Sequence, residues 1–582
     1  MAGTLSHQKL SPFTRKFLDP EKRLTYIGSG ALGGKAQGLA FIQEILVSKF
    51  DSGKVPGIEV SIPTLTVIRT DFFDAFMQRN SLYDIAYSDE SDDRIAHAFQ
   101  SADLPVELLG DLRALVGQVR TPLAVRSSSL LEDALHEPFA GIYSTKMTPN
   151  NQPDTDTRFR RLTEAIKFVY ASTFFKAAKD YRRATRHSDE EEKMAVILQE
   201  VVGHRHHDRF YPELSGVARS YNFYPLAAAK PEEGVVSLAL GLGKTIVDGG
   251  TTWTYSPAHP RANPPFGSIR EWLNQTQTDF WAVNMGKPPA YDPIRETEYL
   301  LKGNLADAEL DGTLGSLAST YDAGSDRIVL GIGVPGPRIL TFAPLLTLND
   351  TPLNDLICSL LALCEKACGA AVEIEFAVIF HPPRFNFLQV RPMVVSNEIV
   401  NITDDEMAGE QVLLASNAVL GNGVNCIIQD VVYVKPETFE AAHTPRIAQE
   451  LESVNRKLNE AGSPYLLIGF GRWGSSDPWL GIPVNWGQIA EAKVIVEATL
   501  PNMDKELSQG SHFFHNLASF QISYFSIRHS GKYQIDWEWL RNQRSALETE
   551  YVRYVKLSVP LLVKVDGRSG KGVIYKSMST KP

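Results

Sequence analysis

Apolar and polar positions along this chain fall into short segments whose spacing distinguishes helix from strand. GSGALGGKAQGLAFIQEIL, residues 28–46, begins with glycines and continues with apolar residues at helical spacing, and so reads as a loop running into a helix. SIPTLTVIRTDFFDAFM reads as strand, turn and helix, with Thr70 and Asp71 as cap candidates. TPLAVRSSSLLED, 121–133, is a short apolar strand entering a polar turn. RFRRLTEAIKFVYASTFFKAAKDYRRA has helical periodicity, with its basic residues expected on the outer face. MAVILQEVV, 194–202, is an uninterrupted apolar strand. GVVSLALGLGKTIVDGGTTWTY, 234–255, is a strand, a second glycine-rich loop and more extended chain. Proline- and glycine-bearing segments between 256 and 290 read as surface connections.

A helical pattern over 352–368 leads into AAVEIEFAVIFHPPRFNFLQVRPM, 370–393, which the HPPRFN turn folds into a hairpin. Strand side chains alternate faces, so Glu373 and Glu375 share one face, and Gln389 and Arg391 share a face on the return strand. An ionised carboxylate left in an interior costs several kcal/mol unless a partner or metal compensates it. Two compensations are open. The set suits a nucleotide polyphosphate with magnesium, carboxylates holding the ion and Arg391 pairing with phosphate; alternatively Arg391 neutralises the acids as a cross-strand salt bridge. After about Ser396 the pattern changes, and CIIQDVVYVKP, AHTPRIAQELESVNRKLNEAG and PYLLIGFGRWGSSDPWLGIPV suggest a separate α/β domain from roughly 400 to 582.

Length and composition set the frame for these segments. A chain of 582 residues exceeds what one core organises, so two to four domains are expected. Apolar residues at 43% and charged residues at 22% describe an ordinary globular protein. A formal charge of −10 gives no polyanion footprint, which argues against nucleic acid and anionic membrane as partners. The N-terminus lacks the apolar core of a signal peptide and no run is long enough to span a bilayer, so a cytoplasmic protein is expected. Cys358, Cys364 and Cys368 fall in one apolar helical pattern without CxxC spacing, and with Cys426 read as reduced thiols.

Several polar constellations could carry chemistry. Gly33, Gly34 and Lys35 place backbone N–H groups and a lysine at a helix start, which favours an anion, although GxxxxGK[ST] is not met. VRSSS combines Arg126 with three hydroxyls as a phosphate clamp, or caps a turn through Ser129 and Glu132. Lys244 in GLGKTIVDGG could close over phosphates or simply sit in a hairpin connection. His204, His206 and His207 in GHRHHDR read as solvent-facing rather than as a metal site. Arg472, Ser475, Ser476 and Asp477 could bind an oxyanion or form a tight turn. His512 and His515 in QGSHFFHNL could be a phosphoryl acceptor and helper, or core-edge histidines.

Taken in order, LGGKAQGLAFI, AVRSSSLLEDALHEPFAG and IEFAVIFHPPRFNFLQVRPM resemble the GGKxxxLxxM, AVRSSAtaEDxpxxSFAG and DIEWA...LxxLQaRP segments of the phosphoenolpyruvate synthase and pyruvate phosphate dikinase family. The resemblance covers roughly residues 20–397. It implies an α/β (α+β) ATP-grasp fold, with 1–20 as an extension, 21–225 and 226–398 as the N- and C-terminal ATP-grasp subdomains, and 399–582 as a C-terminal α/β domain for an acceptor or substrate. It implies ATP and Mg2+ as cofactors. Lys35 with Gly33 and Gly34 would hold ATP phosphates, Arg126 the transferring phosphoryl group, and Gln199, Glu200 and Val202 the adenine and ribose. Gln389 would support the nucleotide, Arg391 would stabilise phosphate charge, and Glu375, with Glu373 where the family usually has aspartate, would hold magnesium or ribose.

The chain also departs from the family. Its GLGE becomes GLGK at Lys244, its phosphohistidine motif GGxTSHAA does not occur, and fewer than two hundred residues remain for a pyruvate-binding barrel. The expectation is a magnesium-dependent phosphotransferase passing phosphate from ATP to His512, to a bound small-molecule acceptor or to a partner phosphocarrier, with oligomeric state open. An ATP-grasp ligase working through an acyl phosphate and a non-catalytic nucleotide-binding module are the alternatives.

Overall fold

A computed structural model describes residues 10–16, 23–51, 53, 55, 57–132, 141–185, 192–223, 229–262, 269, 272–273, 276–287, 292–295, 297–348, 351–393, 395, 400–475, 479, 481–501, 503, 517 and 522–576. The fold is mixed α/β. Its first sheet carries, in spatial order, Ser11–Pro12, Leu24–Ile27, Leu65–Ile68, Met194–Glu200, Leu123–Ser129 and Lys146–Thr148. MAVIL, 194–198, is apolar without a break because both faces are covered. Val67, Ala195 and Ile197 face the helix Gly34–Lys49, while Ile68, Val196 and Leu198 join the core under the helices Thr70–Arg79, Val106–Gln118 and Thr155–Ser172.

The second sheet runs Trp253–Tyr255, Val235–Ala239, Leu214–Arg219, Val372–Phe380, Pro383–Pro392 and Glu59–Ser61, with the helix Leu353–Cys368 packed on it. The expected hairpin is its centre, with Glu373 opposite Arg391 and Glu375 opposite Gln389. Glu59–Ser61, far upstream, joins its edge in parallel with Arg384–Asn386. Burial pushes the Cys364 thiol up to about 12, so it stays protonated, and the four cysteines are free thiols.

Three local expectations change. The basic pattern after 158 forms two helices, Thr155–Ser172 and Lys176–Thr185, and Arg158 and Arg182 are buried rather than outward, donating to backbone carbonyls of Val116 and Thr173. Asp279–Asn284, expected as connection, is a strand with Phe280, Ala282 and Val283 fully buried. Arg69, not Thr70 or Asp71, is the N-cap of its helix. Both polar side chains turn to the glycine loop instead.

Beyond residue 400, Asp430–Val434, Tyr465–Phe470, Ala492–Ala498 and Ser523–Ile527 pair in parallel within a seven-stranded sheet, flanked by the helix Thr444–Glu460. A four-stranded antiparallel sheet of Val412–Ser416, Lys571–Tyr575, Leu562–Asp566 and Asn422–Asn425 lies beside it. The core of this region is continuous with the outer face of the first sheet. At the junction Lys176 pairs with Glu452 and Asp180, and Gly487 approaches Asp180. A cleft of about 830 Å³ lined by Asp92, Lys176, Asp180, Arg183, Glu452 and Arg456 opens there. Among the described residues no helix is long and apolar enough to cross a membrane.

A Cβ at Gly487 would lie 2.1 Å from the Asp180 Cβ. Gly487→Ala is expected to cost about 1–3 kcal/mol through overpacking, whereas Lys176→Ala, whose side chain is 55% exposed, should cost under about 1 kcal/mol. Urea unfolding of the two variants checks the order.

Candidate functional site

The glycine-rich loop after Leu24–Ile27 is shaped by Asp71 and Thr70. Asp71 accepts from the backbone N–H groups of Ser29 and Gly30, each at 3.0 Å, and the Thr70 hydroxyl accepts from Ala31 N–H at 2.9 Å. Gly33, at φ 75°, caps the helix that starts at Gly34, and a Cβ there would lie 1.7 Å from the Ser128 carbonyl. Only glycine lets these two backbones meet. Ser128 Oγ then locks them together, accepting from Ala36 N–H and donating to Leu32 O.

This places Lys35 against the VRSS strand. Its Nζ donates to Ser127 Oγ at 3.0 Å and to Glu132 Oε1 at 2.6 Å, and the Glu132 side chain is 1% exposed. Ser129 and Glu132 exchange reciprocal backbone contacts, so the expected turn cap also forms. Glu192 lies behind it. Tyr143 Oη donates to Glu192 at 2.5 Å. Burial pushes the Glu192 carboxyl up to about 7; the Tyr143 hydrogen bond and Arg182 oppose that rise and Glu132 adds to it.

Arg126, on the same strand, points to the other face and reaches the second sheet. It donates to Gln199 Oε1 at 3.0 Å, Leu388 O at 2.8 Å and Gln389 Oε1 at 3.1 Å, and stands 3.9 Å from Glu375. Arg126, Gln199, Gln389 and Glu375 are therefore together, as the family resemblance implies. Gln199 is buried and its Nε2 has no partner among the described residues, a donor turned to a place where an acceptor is wanted. Glu375 is the hairpin acid with the looser engagement.

Glu373 has a different setting. It is 1% exposed, accepts Arg391 Nε at 2.8 Å and a further Arg391 nitrogen on the same oxygen, and takes Arg219 Nε at 2.5 Å on the other. Arg219, Glu373 and Arg391 sit side by side across three strands. Of the two compensations left open for the acids, Glu373 thus has the salt bridge, while Glu375 has Arg126 at 3.9 Å. Nothing in the sequence around Arg219 signals this pairing, because its partner lies over 150 residues downstream.

Glu200 is turned away from Gln199. Its carboxylate takes the Thr121 hydroxyl at 2.5 Å, as strand alternation requires for the residue next to one facing Arg126. Val202 follows the strand, and the adjoining Val201 borders an apolar cluster of Phe210, Leu242, Val283 and Met285 with Met147 and Trp281. That cluster suits a planar base, and Leu242 brings the GLGK loop to it. Lys244 pairs with Asp248 at 3.0 Å and stands over the Trp281 ring. His204 faces Glu213, His206 packs on Tyr211 with its pKa lowered by burial, and His207 is a turn residue at φ 51°. His512, His515, Ser476 and Asp477 lie outside the described residues.

A glycine-rich helix start, a clamp of serines and an arginine bridging two sheets, with an apolar cluster beside them, are the features of an ATP-grasp-type nucleotide-binding protein. The chain belongs to the family of the pyruvate phosphate dikinase AMP/ATP-binding domain, which matches residues 29–411. The match takes in every residue of the site and ends before the C-terminal parallel strands, so the ATP-binding part of the chain is this domain.

The Glu192 carboxyl is held more firmly protonated in the folded protein than in the unfolded chain, whose ordinary value is 4.5. Folding therefore takes up a proton between pH 4.5 and about 7, and stability falls as pH rises through that window. Glu192→Gln should remove this fall, on the order of 3 kcal/mol, so that urea midpoints at pH 5.5 and pH 8 converge relative to the parent protein.

Proposed function

We propose that the chain is a cytoplasmic, Mg2+-dependent phosphotransferase that activates ATP between two subdomains, 21–225 and 226–398, and delivers phosphate to an acceptor associated with the domain at 399–582. The observation that carries this reading is the Arg126 bridge, which gathers Gln199, Gln389 and the Leu388 carbonyl beside Glu375. Arg126 would follow the transferring phosphoryl group, and Gly33, Gly34 and Lys35 the outer phosphates, Lys35 exchanging Glu132 for phosphate oxygens. Gln199 would meet the base or ribose through its unpartnered amide, with Glu200 and Val202 contributing backbone. Catalysis is then positioning and charge stabilisation.

Glu375 would hold the metal, which when bound offsets charge on the phosphate oxygens. Glu373, committed to two guanidinium groups, would act on the nucleotide through Arg391, whose orientation it sets. A second reading, a nucleotide-binding module without turnover, is favoured by one observation: Lys35 and Lys244 are both ion-paired, with Glu132 and Asp248.

Incubation with ATP followed by phosphorus NMR separates these readings. AMP with phosphate marks a synthase-like cycle, ADP a simple kinase or ligase, and tight ATP binding without product in the presence of cell metabolites the silent module. Lys35→Ala and Arg126→Ala should each lower turnover by about 100-fold or more, and normal turnover in both rejects the site. With ATP labelled at the β and γ phosphates, unchanged protein labelling in His512→Ala rejects that histidine as carrier.

A further inference from the structure

The carboxyl edge of the C-terminal parallel strands offers chemistry that the ATP site does not use. Phe470, Ala498 and Ile527 end their strands in register, so the residues that follow emerge together. Open sheets bind ligands at this edge, where chain exits leave N–H groups and side chains directed outward. Here the exits carry Arg472, Thr499, Arg528 and His529. Thr499 N–H donates to Ile527 O at 3.1 Å and its hydroxyl accepts from His529 N–H at 2.8 Å, tying two exits together.

Packing sets the position of Arg472. Gly471 and Gly474, at φ 72° and 71°, turn the chain on either side of it. Trp473 is buried with its Nε1–H donated to Val496 O at 3.1 Å, and a Cβ at Gly481 would lie 1.9 Å from Arg472 O. So fixed, Arg472 Nη1 donates to Gly249 O at 3.3 Å, at the far end of the loop whose Leu242 lies beside the apolar cluster of the ATP part. Arg528 is exposed, while Glu497, the acid on these strand ends, is buried and takes the Tyr524 hydroxyl. Among the described residues this edge thus carries two guanidinium groups, and Arg472 reaches the nucleotide loop.

We propose that this edge binds the anionic anchoring group, carboxylate or phosphate, of a second small-molecule substrate, with Arg472 and Arg528 as its cations and the Thr499 hydroxyl as a donor. The proposal rests on the phosphotransferase reading. A guanidinium recognises either oxyanion through paired N–H donors, which an ammonium does not reproduce.

Titration of the full chain with inorganic phosphate, and separately with acetate, followed by NMR line broadening, tests it. Saturable phosphate binding is expected, weakened about tenfold or more in Arg472→Ala and Arg528→Ala, partly kept in Arg472→Lys and unchanged in Lys35→Ala, with ATP affinity unaltered in the Arg528 variant. Stronger binding of acetate than of phosphate would assign the anchoring group as a carboxylate, and the reverse as a phosphate. Loss of phosphate binding in Lys35→Ala but not in Arg472→Ala would place the ion in the ATP site and overturn the proposal, as would absence of saturable binding by either anion. Should Arg472→Ala fail to fold, the exposed Arg528 decides alone. Failure of the intact chain to bind ATP would instead strike the phosphotransferase reading, a result distinguishable from the anion titrations.

Discussion

One guanidinium holds the two halves of the ATP part in register. Arg126 begins on a strand of the first sheet and spends its donors on the Leu388 carbonyl and the Gln389 amide of the second, with the Gln199 amide of its own sheet as third partner. A half-buried cation needs such partners, since isolated charge is costly away from water. The requirement works in both directions. The sheets are drawn together by the arginine, and the arginine is aimed by the sheets, so that the space beside Glu375 is bounded before any ligand arrives.

A second set of charges supports the first from behind. Arg219, Glu373 and Arg391 form a row across three neighbouring strands, two positive groups on one buried carboxylate. Removing one member of such a set leaves an uncompensated charge, which is why buried ion pairs resist piecemeal change even where an apolar replacement would be as stable. Lys35 and Glu132 repeat the device at the glycine loop. Cations suited to phosphate are thus each prepaired with an acid, and ligand binding becomes an exchange of partners rather than the filling of a bare positive pocket.

Much of this was legible because period-two alternation survives in long strands. The facing of Glu373 and Glu375, the hairpin, and the joint presentation of Gln389 and Arg391 all follow from it. Alternation also contains what was overlooked at Glu200: next to Gln199 on the same strand, its side chain must leave the site. Other features depend on partners distant along the chain. Nothing near Arg219 announces Glu373, nothing near Lys35 announces Glu132, and Thr70 and Asp71 have the chemistry of helix caps yet serve a loop some 40 residues earlier. Arg158 and Arg182 carry surface chemistry but find carbonyls inside. Amphipathic patterning reports where a side chain can go and is silent on which distant group awaits it.

The core shared by the first sheet and the C-terminal sheets has a consequence for synthesis. Its residues lie at Ile27 to Leu198 and again at Leu413 to Ile574, whereas the core of the second sheet draws on Leu24 to Val390. At about 5–20 residues per second, the first block would wait roughly 20–75 s after leaving the ribosome for the last of its partners. During that interval the helical layer on the first sheet, at Lys176 and Asp180, lacks the C-terminal surface that packs against it. The core of the second sheet has all its described residues once Val390 has emerged, and so can close before the other.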